Sequence, residues 1–170
     1  MTTLSGKHFD FYNLLTDVMC IVDIACVLTN ICRFTGHVQD FYSVAQHSFH
    51  VSYLVPPEFA LEALQQPYAA EAYCNDISSP LKQLLPEYRR IIKSVEEAIA
   101  AKFKFPSEMS TAVKHTALVM LATERRDLYL DDGTAWPILE GIEPASFLLP
   151  RKARVLFLQR YNDLKGGNHG

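Results

Sequence analysis

The 170 residues are enough for one domain and too few for two of ordinary size. Hydrophobic residues make up 49% and charged residues 21%, which excludes a disordered chain. The formal charge of −3 is the wrong sign for a protein that grips nucleic-acid phosphates, so no nucleic-acid partner is expected.

In chain order, the first 17 residues mix polar and aromatic types and predict turns and a short extended piece. They carry no apolar core behind a basic start, so no secretory signal is read there. The run Val18-Met19-Cys20-Ile21-Val22 falls far short of the roughly 20 residues of a membrane span. A cytoplasmic protein without a membrane partner is therefore expected. Ile24, Val27, Leu28 and Ile31 predict a helix over 22–31, which Thr35-Gly36 follows as a break. Ser43 and Gln46 form a capping box that opens a helix to about Leu54, closed by Pro56-Pro57. A third helical stretch, 58–73, contains Pro67, which lacks an N–H and costs a helix interior about 3 kcal/mol.

Ser79-Pro80 starts a short helical turn. Pro86 starts a long helix over 86–104, with Tyr88, Ile91, Ile92, Val95 and Ile99 on one face. Further helices are predicted over 107–130 and 151–164, with a Gly-rich flexible tail over 166–170. Nothing alternates at period two over a useful length. The fold class is all-α, a single-domain helical bundle over 1–165. Cys20, Cys26, Cys32 and Cys74 form no C-x-x-C pair and read as small buried hydrophobes.

His47 and His50 share a helix face at i, i+3, a spacing at which two imidazoles could ligate one metal. The bland reading makes His47 a buried hydrogen-bonded residue and His50 a surface one, and spacing alone favours it. Glu71 and Asp76 stand where a general base and its partner could sit, or where a solvated Glu and a helix-capping Asp would. Arg33, Lys82, Arg125 and Arg126 are candidate phosphate contacts, each alone more often a surface charge. Arg151, Lys152 and Arg154 read as a solvated helix start.

Ile31-Cys32-Arg33-Phe34-Thr35-Gly36-His37, Phe41-Tyr42-Ser43-Val44-Ala45-Gln46-His47-Ser48, Ala69-Ala70-Glu71-Ala72-Tyr73 and Asp76-Ile77-Ser78-Ser79-Pro80-Leu81-Lys82 occur in that order. With Leu121-Ala122-Thr123-Glu124-Arg125-Arg126-Asp127 and Trp136-Pro137 they resemble the HD-domain phosphohydrolases. The nearest likeness is to a YfdR-like prophage branch related to YfbR-like 5′-deoxynucleotidases. The resemblance covers the chain from Leu4 to about Leu164. It implies an HD-type bundle around one divalent metal, held by a His, a consecutive His-Asp pair and a later Asp. That metal activates water against a nucleotide phosphate, with a Glu and an Asp assisting and an Arg holding the phosphate. By resemblance His47 is the first ligand, Glu71 and Asp76 are the catalytic assistants, and Arg33 and Lys82 contact substrate.

The other ligands are missing. The chain reads Gln65-Gln66-Pro67-Tyr68 where the His-Asp pair should stand, one residue longer than the family's stretch. Counting back from Glu71 puts Pro67 and Tyr68 at the ligand positions, and counting forward from Ala63-Leu64 puts Gln66 and Pro67 there. Ala117 replaces the last Asp. One imidazole cannot hold a catalytic metal, and without one the pKa of water stays near 15.7 instead of falling to about 7. His50, Cys74, Glu71 and Asp76 are the residues that could rebuild a site; His115, about 200° around the helix from Ala117, should point away.

The expectation is a degenerate HD-type protein that binds a deoxynucleotide or a protein partner without turnover, of phage or prophage origin. No cofactor is expected, and Zn, Mn or Co only in a rebuilt site. The alternatives are an active 5′-deoxynucleotidase or dNTP triphosphohydrolase with a rearranged metal site, and a pure interaction protein. Relatives of this kind are often dimers or larger, so the resemblance also implies a homo-oligomer.

Overall fold

The computed structural model describes residues 1–65, 68–146 and 154–166. Among the described residues eight α-helices form one all-α domain, and β-structure is limited to the isolated bridges Thr2–His8 and Cys32–Ser43. The helices are α1 (Ile21–Asn30), α2 (Val44–Leu54), α3 (Ala60–Gln65), α4 (Glu71–Cys74), α5 (Ser79–Leu84), α6 (Pro86–Phe103), α7 (Thr111–Asp127) and α8 (Arg154–Gly166).

Helix α2 is the central element and packs against α1, α3, α7 and α8. Its start is set by the predicted capping box. The Gln46 amide donates to the Ser43 hydroxyl at 3.2 Å, and the Ser43 amide donates to the Gln46 side chain at 2.9 Å. Nearly the whole of α2 is buried, polar residues included. One core joins α1, α3, α6 and α8 through Ile24, Leu28, Leu64, Ile99 and Phe157, and Phe9 within it stacks on Tyr73 of α4 at 4.4 Å. A second joins α2, α3 and α7 through Val51, Ala63, Val113 and Met120. Burying an aliphatic or Phe side chain of this kind contributes about 1.5–3 kcal/mol.

The predicted third helix over 58–73 is not one helix. A 3-10 turn (Pro57–Phe59) leads into α3, described as far as Gln65, and α4 opens at Glu71 after the turn at Tyr68–Ala70. Between them Tyr68–Ala70 turn tightly, with the Glu71 amide donating to the Tyr68 carbonyl at 2.9 Å. Pro67 itself, Arg151, Lys152 and the expected tail beyond Gly166 lie outside the described residues. Gly166 closes α8.

Two other boundaries differ. Helix α7 starts at Thr111 because the Ser110 hydroxyl caps it, accepting from Val113 N at 3.3 Å. It stops at Asp127 because Tyr129 turns left-handed (φ 57°) and sends the Leu130 amide back to the Arg125 carbonyl at 3.1 Å. That is the six-to-one closure usually made with glycine. On α6, Val95 and Ile99 are buried as expected, whereas Ile91 is exposed. The four cysteines are free thiols but only half-buried. They sit at the margins of the core, not inside it.

Candidate functional site

A cleft of about 710 Å³ opens between the segment after α1, the Tyr68–Ala70 turn, the start of α5, α7 and the loop over 131–138. It gathers Arg33, His47, Tyr68, Glu71, Asp76 and Lys82. The five candidates Arg33, His47, Glu71, Asp76 and Lys82, scattered in sequence, thus share one cavity. Ala117 lines it too.

Glu124 anchors the site and is 0% exposed. Arg33 donates to one of its oxygens at 2.9 Å, and His47 Nδ1 donates to the other in a very short contact. Burial alone would raise the Glu124 pKa, but Arg33 and then His47 outweigh it and hold the carboxyl below its usual range. Burial also opposes charge on Arg33, yet Glu124 holds the guanidinium more firmly protonated than usual. The site therefore holds a buried ion pair.

His47, 1% exposed, is pushed down by burial and by the Arg33 charge, against the pull of Glu124. It is neutral near pH 7. An ionised Glu124 can only accept, so Nδ1 carries the proton and Nε2 is an acceptor. The Tyr68 hydroxyl meets Nε2 at 2.5 Å and must donate to it. Burial raises the Tyr68 pKa, which keeps that proton in place. Tyr68, His47, Glu124 and Arg33 form one chain in which both imidazole nitrogens are used.

That chain decides whether the residues fit a metal. Nε2, the nitrogen left after Nδ1 is spent, points at a phenol, and Ala117 offers no donor. Among the described residues no group of three or more His, Cys, Asp or Glu is placed to hold a metal ion. The donor set does not fit an HD-type metal centre. Of the other candidate ligands, His50 is 5% exposed and not a surface residue. Its ring meets the Phe49 ring edge-on, and burial, then His47, push its pKa down to about 4. His115 is exposed on α7, as its helical angle required. Burial, then Glu96, push the Cys74 thiol up to about 11, which makes it a poor ligand and nucleophile.

On the opposite wall Glu71 is 5% exposed. Lys82 Nζ lies 3.2 Å from Glu71 Oε1 and 3.4 Å from Asp76 Oδ1. Asp76 thus pairs with a lysine and does not cap α5, and Glu71 is not on a solvated face. Burial and the Asp76 charge raise the Glu71 carboxyl to about 7 despite Lys82 and Arg33.

The remaining arginines serve structure. Arg125 holds the 131–138 loop, reaching Asp131 at 2.6 Å and the Thr134 carbonyl at 2.7 Å, and lies 4.9 Å over the Trp136 ring. Arg126 pairs with Asp127 at 2.6 Å and donates to the Ala145 carbonyl at 2.8 Å. Neither lines the cleft. The Arg154 side chain lies outside the description, with Arg151 and Lys152. The cleft rim is strained: Phe34 (φ 54°) and Thr35 (φ 52°) are left-handed in succession, which costs about 1–2 kcal/mol for each non-glycine residue. The twist brings the Arg33 guanidinium 5.0 Å over the Phe34 ring.

Residue typing missed Glu124 and gave Tyr68 only a negative role. The signal for Glu124 was present: it falls on the stripe Val113, Thr116, Met120 of α7, where a buried acid needs a cation. No comparable signal marks Tyr68.

No family model matches the chain. It is 52% identical over 167 residues to the Escherichia coli (strain K12) protein YfdR, an uncharacterized protein, across 95% of this chain and 93% of that one.

Proposed function

The chain belongs to the family of the Escherichia coli YfdR protein, and we propose that it is a degenerate HD-type member that binds a deoxynucleotide-class ligand without hydrolysing it. The observation that carries this reading is the Tyr68 hydroxyl on His47 Nε2. A hydrolytic HD centre needs that nitrogen on a metal, and the metal is what makes water a nucleophile near neutral pH. Here the nitrogen accepts a hydrogen bond, while a cleft of ligand size remains.

The competing reading is a rearranged hydrolytic site with Glu71 as base, since about 7 is a useful pKa for one. Phosphate release from deoxynucleotides, measured with and without chelator, separates the two. The expected result is no release, together with chelator-insensitive thermal stabilisation by ligand, about 2.7 kcal/mol at a hundredfold excess over Kd. Release that chelator or Glu71→Gln abolishes would refute the proposal.

A further inference from the structure

The cleft's hydrogen-bonding groups differ from those of a phosphate site. Each of its cations already faces carboxylate: Arg33 is on Glu124, and Lys82 lies between Glu71 and Asp76. A polyphosphate would have to share both cations with resident anions. Two buried polar atoms, in contrast, meet no hydrogen-bonding group of the described protein. They are Glu71 Oε2, an acceptor, and Arg33 Nε, a donor. Both residues line the same cleft, and each shifts the other's ionisation. Buried polar atoms of this kind call for partners.

A ligand that completes both must present a donor and an acceptor. Phosphate oxygens only accept, and they would leave the ionised Glu71 carboxylate, the form present above about pH 7, unmet. A protonated amine only donates, and it would leave Arg33 Nε unmet. Leu118, Leu121, Ile138 and Trp136, the last backed by Arg125, give the cleft an apolar and aromatic wall, beside the polar Ser78, Ser79 and Gln83. A flat heterocycle with an amino group next to a ring nitrogen fits both the walls and the pair.

The geometry points to an uncharged amino-heterocycle as the preferred ligand: a nucleobase or nucleoside with an exocyclic amine, seated base-first, its N–H on Glu71 Oε2 and its ring nitrogen on Arg33 Nε, any phosphate outside. This rests on the ligand-binding reading above and fixes the class and orientation of the ligand.

Calorimetry on the full chain tests it with matched ligands: deoxyadenosine, its analogue lacking the 6-amino group, and deoxyadenosine triphosphate. A second pair is deoxycytidine and its analogue lacking the 4-amino group. At least one amino nucleoside should bind about tenfold or more tightly than its des-amino analogue, the size expected of a hydrogen bond to a charged group. The triphosphate should bind no better than its nucleoside. Glu71→Ala, checked as folded by circular dichroism, should bring the amino and des-amino ligands within about twofold. Equal binding of the amino and des-amino ligands by wild type would overturn the inference. So would a triphosphate preferred over its nucleoside and weakened by Lys82→Ala; both results would leave the ligand-binding reading standing. No binding by any nucleoside or nucleotide would overturn that reading itself.

Discussion

Replacing Glu71 by Gln tests the electrostatics of the cleft without changing its shape. Glu71 is 5% exposed, and burial with the Asp76 charge raises its carboxyl from 4.5 to about 7. Below pH 4.5 the group is protonated in both folded and unfolded chains, and above about pH 7 it is ionised in both. Between those values the folded chain keeps a proton that the unfolded chain gives up. This contribution to stability is fully present below pH 4.5 and is lost as pH rises to about 7. At about 1.4 kcal/mol per tenfold change, the gap corresponds to about 3 kcal/mol. Gln resembles the protonated acid and carries no such loss. Glu71→Gln should therefore match wild type near pH 4.5 and exceed it by up to about 3 kcal/mol at pH 8. Urea unfolding of both chains across that range measures the difference, in which the other titrating groups cancel. A variant-minus-wild-type difference that stays flat with pH, or falls as pH rises, would refute the argument.

Tyr68→Phe removes the donor to His47 Nε2 and leaves a buried acceptor unmet, so it should destabilise by about 1–3 kcal/mol in urea unfolding. Glu124→Gln leaves Arg33 charged and buried, which should destabilise by about 3 kcal/mol or more. Combining it with Arg33→Met should recover part of that loss, and strict additivity of the two would show that the pair is not coupled. Thr35→Gly relieves a left-handed residue on the cleft rim and should raise stability by about 1 kcal/mol; a fall would mean that the Thr35 side chain contributes more than its backbone strain removes.

Local signals fared well in the sequence because they are local. Ser43 and Gln46 meet each other three residues apart, and the start of α2 follows from that alone. Pro86 at the first turn of α6 needs no tertiary partner either. The end of α7 was not legible, because Tyr129 adopts a conformation for which its side chain gives no warning. The five residues of the candidate site were singled out by type and spacing and grouped by resemblance, but neither showed their wiring. Arg33 and Glu124 stand 91 positions apart, and only packing of α7 against α2 brings the carboxylate to His47. The stretch over 65–68 left two registers open. Tyr68, which belonged to one of them, is in the structure the residue that meets His47.

A metal centre holds separate helices together by binding to each, so losing its ligands should loosen them. Here hydrogen bonds join the same kind of elements. Arg33 follows α1, His47 lies in α2, Tyr68 starts the turn before α4, and Glu124 lies in α7. Four side chains with one net-neutral charge arrangement connect all four segments. A buried ion pair gains from having its remaining lone pairs and protons met; the Tyr68 donor does this for His47 Nε2, while Arg33 Nε is left unmet. Under the proposed reading these bonds stand where a metal would, and they differ from it in one chemical respect: they position side chains but activate no water. Under the proposed reading, the fold could give up the nucleophile and still keep the cleft, because the support of the cleft and the activation of water had become separate tasks. What remained available for recognition were the two atoms outside the chain of bonds, Glu71 Oε2 and Arg33 Nε.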